Sequence, residues 1–320
     1  ADAASARDAQ TPVIHPELGG NLCHERIVDS GGVDEAFARA AHVVEATFET
    51  SRHTPVSLEP RAILADFNPA ENQLTVWHST QAPYMMQWIL ARHFRLPETQ
   101  VRVIAPDVGG SFGLKIHIYG DEMAAVAAAL VLKRPVKFVA DRLESFVSAV
   151  HARGHSVKAR MGVSQAGEIL AVELDDLCGI GPYAIYPRGG VNEGLQITNL
   201  VGAAYQVGAR RARVRVVFQN KAMYGQYRAV GHPIACMVNE GLIDLAAAAV
   251  GMDCAEFRRR NYLSPDVYPY KLPGGVVLEK LSQHAALETL LAMMDYEGLR
   301  KEQAALREKG VYRGIGLAGF

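Results

Sequence analysis

Val101-Arg-Val-Ile-Ala-Pro-Asp-Val-Gly-Gly-Ser-Phe-Gly-Leu-Lys115 decides how the rest of this 320-residue chain is read. Its first five residues form an apolar run that predicts a buried strand, and the alanine-rich run from Tyr119 to Leu132 predicts a helix packed closely on a sheet. Between them, Gly109, Gly110 and Gly113 let a loop take left-handed torsions and bring backbone N–H groups against a ligand. Taken alone, such a loop is more often a structural turn. Two distant segments change its meaning: Ser79-Thr-Gln81, ending a strand upstream, and Gln226-Tyr-Arg-Ala-Val-Gly-His-Pro233, far downstream.

Working outward, residues 1–30 are polar and Gly/Pro-punctuated and read as a linker or extended segment. Val33 to Ala41 has helical spacing, and His42 to Thr50 alternates like a strand. Arg61 to Phe67 and Gln73 to Ser79 are strands joined by a turn at Asn68 to Asn72, and Pro83 opens a helix to Phe94. Pro135 to Val139 is a short strand, and Arg142 to Val150 is helical. His155 to Val163 and Ile169 to Cys178 predict a hairpin, and Val214 to Phe218 another strand. Pro233 to Val250 is a long helix closed by Gly251, and Asp253 caps a second helix whose Arg258-Arg-Arg260 complements its dipole. Helices follow at Ser282 to Met293 and Glu297 to Lys309, and Gly314 to Phe320 looks like a strand cut short. Irregular interleaving of strands and helices predicts an α+β (mixed α/β) fold of mixed sheets flanked by helices. The expected organisation is a segment at 1–30, a first domain at 31–265 and the start of a second at 266–320.

The charge is nearly balanced, 33 basic against 34 acidic residues, so nothing points to nucleic acid. Cys23, Cys178, Cys236 and Cys254 are scattered, which excludes a sequence-local zinc or iron–sulfur site and gives no disulfide framework. A reducing, cytoplasmic setting is the expectation. No apolar run reaches the roughly 18 residues of a membrane span. The chain starts without Met, and both ends suggest a piece of a longer polypeptide.

The triplet Ser79-Thr-Gln81 and the loop Gly109-Gly-Ser-Phe-Gly113 resemble the molybdenum-cofactor site of the xanthine dehydrogenase, aldehyde oxidase and aerobic carbon monoxide dehydrogenase family. Gln81 lies 31 residues before Phe112, the separation those relatives show. Tyr227-Arg-Ala-Val-Gly-His-Pro233 resembles their Arg-Gly-x-Gly-x-Pro loop, and Gly251 to Leu263 their Gly-x-Asp-Pro-x-Glu-x-Arg-x-x-Asn block. The resemblance, over roughly residues 20–320, implies a molybdopterin-binding catalytic subunit. It would oxidise an aldehyde or N-heteroaromatic carbon, with water as the oxygen source. It further implies a cofactor site of Gln81, Gly110, Ser111, Phe112, Gly113 and Arg228, with no direct protein ligand to the metal. The Gln81 amide would donate to an oxo ligand, as an anionic oxometal group requires. The cofactor would be molybdopterin cytosine dinucleotide, with FAD and [2Fe-2S] on partner subunits. A second molybdopterin-binding chain and a dimer of heteromers complete the expected assembly.

Departures bear on substrate. Ile116 stands where purine oxidisers carry Glu, Gln196 where they carry Arg, and Val230 where they carry a stacking Phe. These three are expected on the substrate side, and a purine is not. Ala229 replaces the copper-binding Cys of carbon monoxide oxidisers. The family's general-base Glu belongs to a C-terminal Gly-rich loop not found here, so no catalytic residue is assigned and the chain alone should not turn over. Other readings are a non-catalytic scaffold half of a split subunit and a nicotinamide-dependent oxidoreductase. The loop lacks the G-x-G-x-x-G pattern the latter needs. His53 with Glu59 reads as a core or cap pair rather than a metal site, and His151 with His155 as a solvated or strand-edge pair. His232, beside Arg228, is the one histidine read as a candidate to face the site. Arg210, Arg211, Arg213 and Arg215 read as an alternating exposed strand face rather than pyrophosphate contacts.

Overall fold

The computed structural model describes residues 3–8 and 10–320. In its first half, the chain forms β1 Leu22–Asp29, α1 Val33–Ala38, β2 His42–Glu49, β3 Arg52–His53, β4 Ala62–Asn68 and β5 Gln73–His78. There follow α2 Pro83–Phe94, β6 Val101–Ile104, α3 Gly120–Leu132, β7 Val136–Val139 and α4 Arg142–Ser148. The second half continues with β8 Ala152–Arg153, β9 His155–Val163, β10 Ile169–Gly181, α5 Val191–Asn199 and β11 Ala209–Phe218. It closes with α6 His232–Ala249, α7 Cys254–Asn261, β12 Tyr270–Lys271, β13 Val277–Leu278, α8 Gln283–Met293 and α9 Tyr296–Glu308.

Two sheets carry the fold. The larger has the order β1-β11-β10-β9-β2, antiparallel except for the β10–β11 pair. That parallel pair needs a crossover, and the segment holding α5 supplies it. The smaller has the order β6-β5-β4-β7, with β5 and β6 parallel. The α+β class is as the sequence predicts, and the β9–β10 hairpin turns at Ser164 to Glu168 as expected.

The main core lies between the larger sheet and α6. Val157, Ala159, Met161 and Val172 from the sheet meet Ile234, Val238, Leu242 and Ala246. The smaller sheet packs Ile63, Ala65, Leu74 and Val76 against Leu90 and Ala91 of α2 and Ala125, Val126 and Ala129 of α3. Alanine at these α3 positions keeps helix and sheet close. Helix α4 starts at a capping box, with the Asp141 carboxylate accepting from Glu144 N at 2.7 Å and the Glu144 carboxylate accepting from Asp141 N at 2.8 Å.

Several elements differ from expectation. Within residues 1–30, Leu22–Asp29 is an edge strand of the larger sheet, paired along β11. Strand β11 begins at Ala209, five residues before the expected start, because its arginines alternate between faces. Arg210 points inward, donating to the carbonyl of Tyr205 at 2.8 Å, while Arg211, Arg213 and Arg215 pair with acids on the other face. Arg210 therefore does not belong to the expected exposed face. Arg258 is not a surface member of a basic run either: it is buried, paired with Glu240 at 2.9 Å and Asp244 at 2.8 Å. Gly314 to Phe320 forms no strand. Leu317 is buried and its carbonyl accepts from Arg258 at 2.7 Å, so the backbone is held by a side chain instead of a neighbouring strand. Residues 266–320 hold β12, β13, α8 and α9, with Leu287 of α8 joining the main core. Among the described residues no single helix is long and apolar enough to cross a membrane.

Candidate functional site

Strand β5 leads directly into Ser79-Thr-Gln81, and each residue is fastened differently. Ser79 Oγ donates to Glu59 at 2.8 Å, and Thr80 Oγ1 donates to the carbonyl of Lys115 at 2.9 Å. Glu59 also accepts from Gly109 N and from Lys115 Nζ, each at 2.7 Å. One carboxylate thus ties the strand end to the glycine-rich loop. Its partial burial favours the neutral acid, but the hydrogen bonds from Lys115, Ser79 and Gly109 outweigh this and hold the carboxyl below its usual range. Glu59 is a structural acceptor, with no hydrogen bond or ion pair to His53 among the described residues, and the His53 ring packs edge-on against Tyr227 with centroids 5.3 Å apart.

The loop turns through positive φ at Gly110 (99°), Phe112 (55°) and Gly113 (104°). Gly113 N donates to Gln81 Oε1 at 3.1 Å, and Ser111 Oγ donates to the same oxygen. Because a backbone N–H must face an acceptor, this contact fixes the amide orientation. The Gln81 NH2 is then the free end, without a hydrogen-bond partner among the described residues.

The second loop lies directly against the first. Arg228 N donates to the carbonyl of Phe112 at 2.8 Å, and a Cβ on Gly113 would sit 2.7 Å from the carbonyl oxygen of Gln226. From beneath, Glu193 of α5 accepts from Gly231 N at 3.1 Å, from Arg153 N at 3.1 Å, and from the Arg153 guanidinium and Tyr224 hydroxyl. Arg153 also donates to the carbonyl of Arg228 at 2.6 Å and lies over the Tyr227 ring. Burial favours the neutral acid, but His155 first, then Arg153 and the Gly231 N–H, outweigh it and hold the Glu193 carboxyl below its usual range.

His155 is fully buried, not solvated, between Asp176 at 2.9 Å and the Tyr224 hydroxyl at 3.0 Å. Tyr224 spends its proton on Glu193, so His155 Nε2 must donate to it and the ring carries both protons. Burial opposes that charge, and Asp176 overcomes it, raising the His155 pKa well above its ordinary value. His155, Asp176 and Cys178 lie close enough to suggest metal ligands. Their hydrogen bonds already saturate the imidazole, so an ion pair accounts for the group.

His117 staples a third segment to the site. Its Nε2 accepts from Gln226 N at 2.8 Å, which leaves Nδ1–H to donate to the Tyr186 carbonyl at 3.2 Å. Burial lowers its pKa to about 4, outweighing the Tyr186 contact, so the ring is neutral at ordinary pH.

These segments enclose a surface groove of about 460 Å³, lined by Gln81, Ser111, Phe112, Gly113, Ile116, Arg188, Gln226, Tyr227, Arg228 and Val230. Of the expected site residues, Gln81, Ser111, Phe112, Gly113, Arg228, Ile116 and Val230 are brought together there. Gly110 shapes the loop without lining the groove. Gln196 sits on α5, accepting from Asn199 at 3.0 Å, and is not on the lining. His232 is exposed at the start of α6 beside Phe320, likewise off the lining. Sequence reasoning missed Arg188, His117 and the Arg153–Glu193 pair. The only available signal was an acid and an arginine in otherwise apolar or glycine-rich surroundings. A larger hollow lies over the outer face of the five-stranded sheet, where Arg211, Arg213 and Arg160 are already paired with Glu173 and Asp175.

The donor set fits an anionic oxometal group. The groove lining offers an amide NH2 and guanidinium groups, and no His, Cys, Asp or Glu to bond a metal directly.

Residues 14–262 match the molybdopterin cofactor-binding domain. The chain is 32% identical to the nicotine 6-hydroxylase large subunit of Paenarthrobacter nicotinovorans, over 97% of this chain and 38% of that protein. It is 29% identical to the carbon monoxide dehydrogenase large chain of Hydrogenophaga pseudoflava, over 100% of this chain and 42% of that one. The crystal structure of quinoline 2-oxidoreductase from Pseudomonas putida 86 superposes with a TM-score of 0.89 at 28% identity, covering 96% of this chain and 39% of that one. The chain therefore spans about two fifths of the length of these relatives. With a matching domain, relatives along its whole length and the same fold, this chain belongs to the molybdenum hydroxylase family and carries its molybdopterin cofactor-binding domain.

Proposed function

We propose that this chain is part of the catalytic subunit of a molybdenum hydroxylase that oxidises an aldehyde or N-heteroaromatic carbon, water supplying the oxygen. The observation that carries the reading is the convergence of Gln81, the Phe112–Gly113 bend and Arg228 on one groove, with the Gln81 NH2 left to donate. When bound, molybdopterin supplies a redox-active oxometal centre. Gln81 orients that centre through its amide, and the bend at Ser111 to Gly113 holds the amide in place. Arg228 adds positive charge beside it, its position set by Phe112 above and Arg153 below. Ile116 and Val230 form an apolar wall for the substrate, and Ala229 offers no thiolate to a copper ion.

The cofactor we assign is the cytosine dinucleotide form. Electrons would pass to an iron–sulfur subunit with [2Fe-2S] and a flavin subunit with FAD, in a dimer of heteromers. A general base would come from polypeptide beyond these residues, in the same subunit or a second molybdopterin-binding chain. We read residues 266–320 as the start of a second cofactor-binding domain, and place the assembly in the cytoplasm, in keeping with four free thiols.

Metal analysis of the subunit, copurified with its partners, tests the reading. Molybdenum near one atom per subunit is expected, with a sharp drop in Gln81→Glu, which replaces the donating amide by a carboxylate. Absence of molybdenum from the unaltered complex would sink the enzyme reading in favour of a scaffold.

A further inference from the structure

We propose that the groove selects a substrate bearing a carboxylate, held by the guanidinium of Arg188; this rests on the reading of the groove as the cofactor site. Two arginines from separate segments, Arg188 and Arg228, line it, and no acidic residue does. The carboxylates built into the surrounding loops are committed elsewhere, Glu59 to Lys115 and Glu193 to Arg153. The groove therefore carries two positive charges with no neutralising partner on its lining, and cofactor binding as proposed uses one of them, Arg228.

Arg188 is available for a second task. Its side chain is exposed and has no ion-pair or hydrogen-bond partner among the described residues. Its main chain, in contrast, is held: the carbonyl of Arg188 accepts from Gln226 Nε2 at 3.3 Å, and His117 bridges the Tyr186 carbonyl to Gln226 N. The segment carrying Arg188 is thus fastened to the loop carrying Arg228, so both guanidiniums stay on the same groove. A guanidinium anchored in backbone and free at its tip suits two parallel hydrogen bonds to a carboxylate. The walls beside it, Phe112, Ile116, Tyr227 and Val230, are aromatic or apolar and accept a flat ring. Together they describe an aromatic acid, with the charged group on Arg188 and the ring on these walls.

The same chemistry could serve a phosphate of the cofactor, and the experiment separates the two. The full subunit in its native complex is titrated calorimetrically with benzoate and with benzamide, isosteres differing in charge. Benzoate is expected to bind at least about tenfold more tightly. Arg188→Met should remove that preference, Arg188→Lys should restore part of it, and molybdenum content should be unchanged in both. Equal affinity for the two probes, binding of neither, or a preference that survives Arg188→Met would each overturn the proposal. A loss of molybdenum in Arg188→Met with the preference intact would overturn it in favour of a cofactor phosphate contact. Because the titration does not depend on turnover, its failure is distinct from a failure to find molybdenum in the unaltered complex.

Discussion

Gly113 is where the two loops of the groove touch, and its missing side chain makes that approach possible. Its φ of 104° is strained for any L residue, and a Cβ would lie 2.7 Å from the Gln226 carbonyl oxygen and 3.0 Å from its carbon. Backbone cannot swing aside as a flexible side chain can. Gly113→Ala should therefore destabilise the protein by roughly 2–4 kcal/mol, combining left-handed strain with overpacking. Gly120→Ala is the control, since a Cβ there meets nothing within 4 Å at the first position of α3, and should be neutral or slightly stabilising. Urea unfolding of the two variants measures both; equal midpoints would refute the account. That Gly113 matters was legible in the sequence from glycine spacing. That Gln226 presses on it was not, because 113 residues separate them.

At the scale of elements, α5 is the buried support of the site, and its sequence conceals it. Val191-Asn-Glu-Gly-Leu-Gln196 mixes polar residues and glycine where a helix would ordinarily show an apolar stripe. Gly194 is required by contact, since a Cβ would sit 2.5 Å from Val214 Cγ2 on β11. Glu193 is required by charge. Removing it strands the Arg153 guanidinium in a buried setting, so Glu193→Ala should cost about 3–5 kcal/mol. The loss should be felt first in the loop above, where Gly231 N has Glu193 as its acceptor. Hydrogen exchange at the Gly231 amide should accelerate in Glu193→Gln even where that variant still melts cooperatively. Unchanged exchange would show that the loop holds its shape without the helix. The strands were legible where alternation was clean, as in β2 and β9, and obscured where arginines interrupt it, as in β11.

Across the whole molecule, the site lies where the loops of two sheets meet, and its stability carries a pH signature. His117 joins the segment of Tyr186 to that of Gln226 only as a neutral ring, because Nε2 must accept. The unfolded chain protonates this imidazole near its ordinary value of 6.5, while the folded chain resists until about 4. Its share of stability is thus complete above pH 6.5 and falls as pH drops toward 4, by on the order of 3 kcal/mol in total. Comparing unfolding free energies at pH 7 and pH 4.5 for the native protein and His117→Gln checks this. The gap between the two proteins should narrow at the lower pH, and parallel losses would rule the mechanism out. The α+β class, most elements and the three motif segments could be read from the chain alone, because periodicity, glycine and proline act locally through backbone torsion and side-chain spacing. The sharing of one groove by Gln81, Gly113 and Arg228, the addition of Arg188 to it, and the burial of His155, Arg153 and Glu193 beneath were decided only in three dimensions. Those depend on hydrogen bonds and charge pairs between residues 21 to 109 positions apart, and no local pattern encodes which distant partner will satisfy a buried charge.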